Sequence, residues 1–156
     1  MMKVESQVSI IEKRISDLLV EEPGYFVVEV SIKPINNIKI FVDADQGAAI
    51  DRLTKLNRTL YKWAEESLYP NGDFSLEVSS PGLEEPIKLH RQYVKNIGRF
   101  VEVLELEGNI IEGKLLSATN VEIVIEETIG KGKKMEVVQH IIPFEQIKST
   151  KIQIKF

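Results

Sequence analysis

A chain of 156 residues with 43% apolar and 28% charged residues has the balance of a soluble globular protein, long enough for one domain or two small ones. It contains no cysteine, which excludes disulfides and thiolate chemistry, and no apolar run approaches the roughly 18 residues of a membrane span. The formal net charge of -4 is uneven, with nine Lys/Arg against fourteen Asp/Glu in residues 1–84 and eleven against ten in residues 85–156. Non-specific phosphate binding calls for a basic excess. An acidic half instead suits a basic protein or another nucleic-acid binder, or simply keeps a small domain in solution. Met1–Gln7 lacks the apolar core of a secretory signal, so the expected location is cytoplasmic.

Val4, Val8, Ile11, Ile15, Leu18 and Leu19 recur at helical steps, which predicts an amphipathic helix over residues 3–20. Glu21–Glu22–Pro23–Gly24 ends it, because proline cannot continue the hydrogen-bond ladder. Phe26, Val28, Val30 and Ile32 then alternate with Val27, Glu29, Ser31 and Lys33, the pattern of a half-buried strand. After the turn residues Pro34–Asn37, the alternation resumes at Ile38, Ile40 and Val42, giving a hairpin. Asp43–Ala44–Asp45–Gln46–Gly47 looks like a calcium loop but fails as one. Its glycine comes one place early, and Thr54 stands where an EF-hand needs a bidentate glutamate. Ile50, Leu53, Leu56, Leu60, Trp63, Ala64 and Leu68 form a second helical stripe over 50–68, with Asp51 at the positive end of its dipole. Asn57–Arg58–Thr59 matches a glycosylation acceptor but lies mid-helix and is set aside. A third strand carries Phe74, Leu76 and Val78.

Helix–strand–strand–helix–strand, each strand with one apolar face, predicts two helices packed on one side of a three-stranded sheet. The opposite face is expected to carry Glu29, Ser31, Lys39, Ser75 and Glu77, interrupted by Val27 and Phe41. Ser79–Ser80–Pro81–Gly82–Leu83 then forms a turn-rich knot. Pro81 holds Ser80 extended, Gly82 permits a reversed backbone, and Leu83 and Ile87 are placed to anchor it. The sequence changes character there, which sets domain bounds of 1–84 and 85–156. A short helical turn over 90–97 precedes five strands at 100–107, 109–118, 121–127, 135–142 and 148–154. Close spacing and tight turns predict a small closed or nearly closed barrel, with Val101, Val103, Leu115, Ile123, Ile125, Val137 and Ile141 inside.

Little here carries chemistry. His90 and His140 lie far apart in different settings, no HExxH exists, and the glycines around Lys131 lack Walker A spacing. Ser79–Ser80–Pro81–Gly82 is not a nucleophile elbow. A non-enzymatic chain without metal or cofactor is expected. The Lys131, Lys133 and Lys134 loop, with Lys148, Lys151 and Lys155 expected nearby, can meet a phosphate backbone electrostatically, or can be merely a solvated turn.

Leu76–Glu77–Val78–Ser79–Ser80–Pro81–Gly82–Leu83, followed by Pro86–Ile87–Lys88, resembles the ribosome maturation factor RimP family of bacteria. Val42–Asp43, Tyr93 with Ile97–Gly98–Arg99, Glu112–Gly113–Lys114–Leu115 and Ile142–Pro143–Phe144–Glu145–Gln146–Ile147 support the likeness in order along nearly the whole chain. The resemblance implies an α/β N-terminal domain and an SH3-like, Sm-like barrel. It further implies a monomeric, non-enzymatic assembly factor that binds the immature 30S ribosomal subunit. Such a factor aids 16S rRNA folding and the addition of a basic small-subunit protein near the decoding centre. Contacts expected on this reading are Asp43, Glu77, Ser79, Ser80, Gly82 and Glu84 in the acidic part, and Lys131, Lys133 and Lys134 in the barrel. Two positions depart from the family pattern. Glu85 stands where an arginine is common, and Ala48–Ala49 replace a glycine-richer loop. The alternatives are a general Sm-like RNA-binding protein and a protein-binding adaptor.

Overall fold

A computed structural model describes residues 4–82, 85–130 and 132–153. Its contacts divide the chain into two units, Met1–Pro81 and Gly82–Phe156. The first unit runs α1 (Val4–Leu18), β1 (Tyr25–Lys33), β2 (Asn37–Ala44), α2 (Ile50–Ser67) and β3 (Ser75–Ser79). Strands β1 and β2 form an antiparallel hairpin, and α2 is the crossover that lets β3 lie parallel to β2, giving the order β1-β2-β3. One core joins Ile11, Ile15 and Leu19 after and along α1, Leu53, Leu56, Leu60 and Ala64 of α2, and Ile38, Ile40, Val42, Leu76 and Val78 of the sheet. The helical steps read from the sequence match the buried stripes, except that Ile50 at the start of α2 is 81% exposed. Trp63 packs at the edge of this core, with the Arg14 guanidinium 5.8 Å from its ring centre.

The phase of β1 differs from the expected alternation. Val27 pairs with Val42 but Glu29 pairs with Phe41, so Val28 is an extra residue in a bulge. The bulge puts Tyr25, Val27, Val30 and Ile32 on the helix side, where they pack against the core. Phe26, opposite Asp43, falls on the other face. Val27 therefore does not interrupt the open face. Outside the sheet, Arg52 Nε donates to both carboxylate oxygens of Glu22, at 2.8 and 2.6 Å, tying α2 to the turn after α1.

The second unit runs α3 (His90–Lys95), β4 (Phe100–Glu105), β5 (Ile110–Ala118), β6 (Glu122–Ile129), β7 (Glu136–Pro143) and β8 (Ile147–Ile152), with 3-10 turns at Gly132–Lys134 and Phe144–Gln146. Its five strands form an antiparallel sheet in the order β7-β6-β5-β4-β8. Register shifts at Leu104/Glu105 and Leu115/Ser117 bend it. No ladder between β7 and β8 is found among the described residues. Val101, Val103, Leu115, Ile123 and Ile125 are fully buried. Val137 and Ile141, expected inside, are 59% and 65% exposed instead. The β6–β7 register explains this correction: Ile142 and His140 lie opposite Ile123 and Ile125, so Ile142 takes the core place and Ile141 turns outward. Gly113 is buried where β5 crosses closest to β6. A Cβ there would run into the Glu126 carbonyl and come within 2.7 Å of Ile125 Cγ2.

Candidate partner-binding sites

Strand register assembles the open face of the first sheet from rows. Ser31, Lys39 and Glu77 form one row and Glu29, Phe41 and Ser79 the next. Glu77 and Lys39 are exposed side by side, and Lys39 Nζ sits 5.1 Å from the centre of the Phe41 ring. Asp43 lies on the same face of β2 but is only 9% exposed, and it accepts the Ala44 N–H at 2.8 Å. Glu77 is therefore an available contact, while Asp43 first serves the local backbone.

At the end of β3, Ser79 is half-buried, Ser80 exposed and Pro81 buried, and Gly82 adopts φ +66°, a conformation that disfavours any side chain. Leu83 and Glu84 lie outside the described residues. Ser79 and Ser80 border a cavity of about 380 Å³ shared with Val78 and with Ile50, Leu53, Thr54 and Asn57 of α2. Asn57 Oδ1 accepts the Val78 N–H at 2.8 Å. Sequence reasoning missed this residue. Its one signal is a polar side chain seven places after Ile50, on the flank of an otherwise apolar stripe.

The second unit opens with a set of buried polar groups. Ile87 N–H donates to the Thr150 carbonyl at 2.8 Å, and Tyr93 Oη–H donates to Thr150 Oγ1, also at 2.8 Å. Gln92 Oε1 accepts the Lys88 and Leu89 N–H groups, which caps α3 where Leu89 offers no acceptor of its own. Burial pushes the Tyr93 phenol above its ordinary 10.0, and the Thr150 hydroxyl pulls partly the other way. Burial, aided by Asp73, likewise raises Tyr69 in the first unit. A smaller cavity of about 130 Å³ is lined in part by Gly82, Glu85, Gln92, Lys95 and Arg99, so the departing Glu85 borders two cations.

Lys133 and Lys134 are exposed in the 3-10 turn before β7, while Lys131 and Lys155 lie outside the described residues. Lys148 and Lys151 sit on β8, at the opposite end of the sheet order from β7. Among the described residues no group of three or more His, Cys, Asp or Glu is placed to hold a metal. His140 Nε2 instead faces Glu127 Oε2 at 3.4 Å. No helix among the described residues is long and apolar enough to cross a membrane.

Residues 15–84 match the family model of the RimP N-terminal domain. The ribosome maturation factor RimP of Christiangramia forsetii is 32% identical over 94% of this chain and 97% of its own length. That of Flavobacterium psychrophilum is 32% identical over 88% of this chain and 91% of its own. The corresponding figures for Cytophaga hutchinsonii are 29%, 94% and 95%. With likeness of this level running through both units, the chain belongs to the ribosome maturation factor RimP family.

Proposed function

We propose that this chain is a non-catalytic assembly factor for the small ribosomal subunit, binding incomplete 30S particles in the cytoplasm. The observation that carries the proposal is the match to ribosome maturation factors along 94% of the chain. The first unit engages a basic small-subunit protein through Glu77 and its neighbours on the open sheet face, with Ser79 and Ser80 following in β3 and the turn after it. The charge division supports this, since complementary fields speed encounter and reject wrong partners. The second unit is an SH3-like barrel that lays Lys133 and Lys134 against 16S rRNA. Its strand order, its two bulges and its single buried face support that reading.

The test is cosedimentation with precursor and mature small subunits. Retention on precursors alone is the expected result; equal retention on both, or on unrelated RNA, rejects the proposal. Glu77→Gln should weaken precursor retention without changing the fold, and unchanged retention removes Glu77 from the contact surface.

A further inference from the structure

Strand β3 ends the three-stranded sheet, and among the described residues only β2 pairs with it. In a strand, the N–H and C=O of alternate residues point to the same side. Ser75 N–H donates to the Asn36 carbonyl on the β2 side, so Val78 directs its backbone groups away from β2. Its N–H is taken by Asn57 Oδ1. By the same alternation its carbonyl also points away from β2, and Val78 is among the residues lining the cavity bordered by α2.

Asn57 thereby stands in for one residue of a missing neighbouring strand. Its Oδ1 accepts as a strand carbonyl does, and its Nδ2 carries two further N–H donors with no acceptor among the described residues. Beside it, Thr54, Ser79 and Ser80 complete the polar lining, Leu53 and Val78 form an apolar floor, and Ile50, 81% exposed, forms an apolar lip. Among the described residues no charged side chain lines this cavity. Desolvating a charged ligand here would have no compensating partner, which selects against charged segments.

We infer that this groove binds an uncharged, extended segment of a partner protein by strand addition. One partner carbonyl accepts from Asn57 Nδ2, one partner N–H donates to the Val78 carbonyl, and a small apolar side chain enters against Ile50 and Leu53. This is the hydrogen-bonding logic of β-augmentation, with main-chain bonds giving affinity and side-chain space giving selection. The inference does not rest on the ribosomal reading, because the whole purified chain tests it without any ribosome.

The probe is a blocked peptide of alternating threonine and valine, titrated into the isotope-labelled full chain and followed by amide chemical shifts. The expected result is saturable shifts at the Asn57 side-chain amide, Val78, Ser79 and Ser80, with affinity in roughly the millimolar to micromolar range. A version methylated on every amide nitrogen should not produce them. Asn57→Asp keeps the acceptor for Val78 N–H but removes the donor, and should bind about tenfold more weakly. Ile50→Lys, at a position too exposed to unfold the chain, should also weaken binding. The inference is overturned by an absence of shifts at these residues, by equal binding of the methylated peptide, or by wild-type affinity in both variants.

Discussion

Thr150 offers the sharpest quantitative check of how the second unit is held together. It is fully buried on β8, in register with Val103, and serves two partners: its carbonyl takes the Ile87 N–H and its hydroxyl takes the Tyr93 phenol. Thr150→Val preserves shape but strands a phenolic O–H that is only 6% exposed as part of Tyr93. Leaving a buried donor unpaired costs about 1–3 kcal/mol, whereas making both partners apolar is nearly neutral. The added methyl returns somewhat less than ~1 kcal/mol of burial. Thr150→Val should therefore lower stability by about 1–2 kcal/mol. Tyr93→Phe should lower it by about 1 kcal/mol. The double variant should cost about 1 kcal/mol less than the two single costs added together. Thermal unfolding followed by circular dichroism resolves this, since 1 kcal/mol moves the midpoint by about 4–8 °C in a unit of this size. Strict additivity refutes the argument, because it means that the hydroxyl and the phenol do not sense each other.

The same pair fixes a sign for pH dependence. Tyr93 titrates above its ordinary 10.0 in the folded chain because burial disfavours the phenolate. The folded state therefore holds this proton more tightly than the unfolded state. Its contribution is complete below the ordinary value and is lost as pH rises through the raised one. Tyr93→Phe should flatten the alkaline decline of the second unit and leave neutral-pH behaviour to the hydrogen-bond term alone. An unchanged alkaline slope counts against the assignment.

Other expectations follow from register and packing. Ile142→Ala should cost about 2–4 kcal/mol, whereas Ile141→Ala should stay within about 0.5 kcal/mol; urea titration of the two inverts this order if β7 is out of phase. Gly113→Ala forces a methyl into the Glu126 backbone and should cost at least ~2 kcal/mol, against near neutrality for Gly24→Ala, which meets nothing within 4 Å. Lys133→Gln with Lys134→Gln should weaken precursor binding and shallow its salt dependence by about two counterions, measured by retention across a salt series. An unaltered slope places the loop off the RNA.

Both helices and their inward stripes were legible because each carries one unbroken apolar period, Ile11–Ile15–Leu19 and Leu53–Leu56–Leu60–Ala64. Phase in two strands was not legible, for one shared reason. Phe26–Val27–Val28 and Val137–Val138 with Ile141–Ile142 are apolar in both alternation phases, so the pattern cannot say which set faces inward. In β1 the bulge at Val28 decides, and in β7 the ladder to β6 decides; both are properties of pairing. The groove at Asn57 was hidden for a further reason. Which strand ends a sheet depends on topology, and an asparagine on a helix flank gains its role only when an unpaired strand edge lies opposite.

Glu77 was legible as an outward residue, yet its surroundings change what its charge does. It stands in register with Lys39, so the row through Ser31, Lys39 and Glu77 is close to neutral rather than acidic. The helices do not carry the negative excess of the first unit either: α1 sets Glu5, Glu12 and Asp17 against Lys13 and Arg14, α2 sets Asp51, Glu65 and Glu66 against Arg52, Lys55, Arg58 and Lys62, and the excess sits in the turns at Glu21, Glu22, Asp45 and Asp73. On the proposed function, long-range attraction of a basic partner originates in these turns, while the sheet face supplies short-range matching of a cation to Glu77 beside the Lys39–Phe41 pair. These two contributions separate kinetically. Reversing the charges of Glu21, Asp45 and Asp73 in the turns should slow association and weaken its salt dependence, whereas Glu77→Gln should mainly speed dissociation. If Glu77→Gln altered only the association rate, the sheet face would be one more part of the field and not the place where the partner is held.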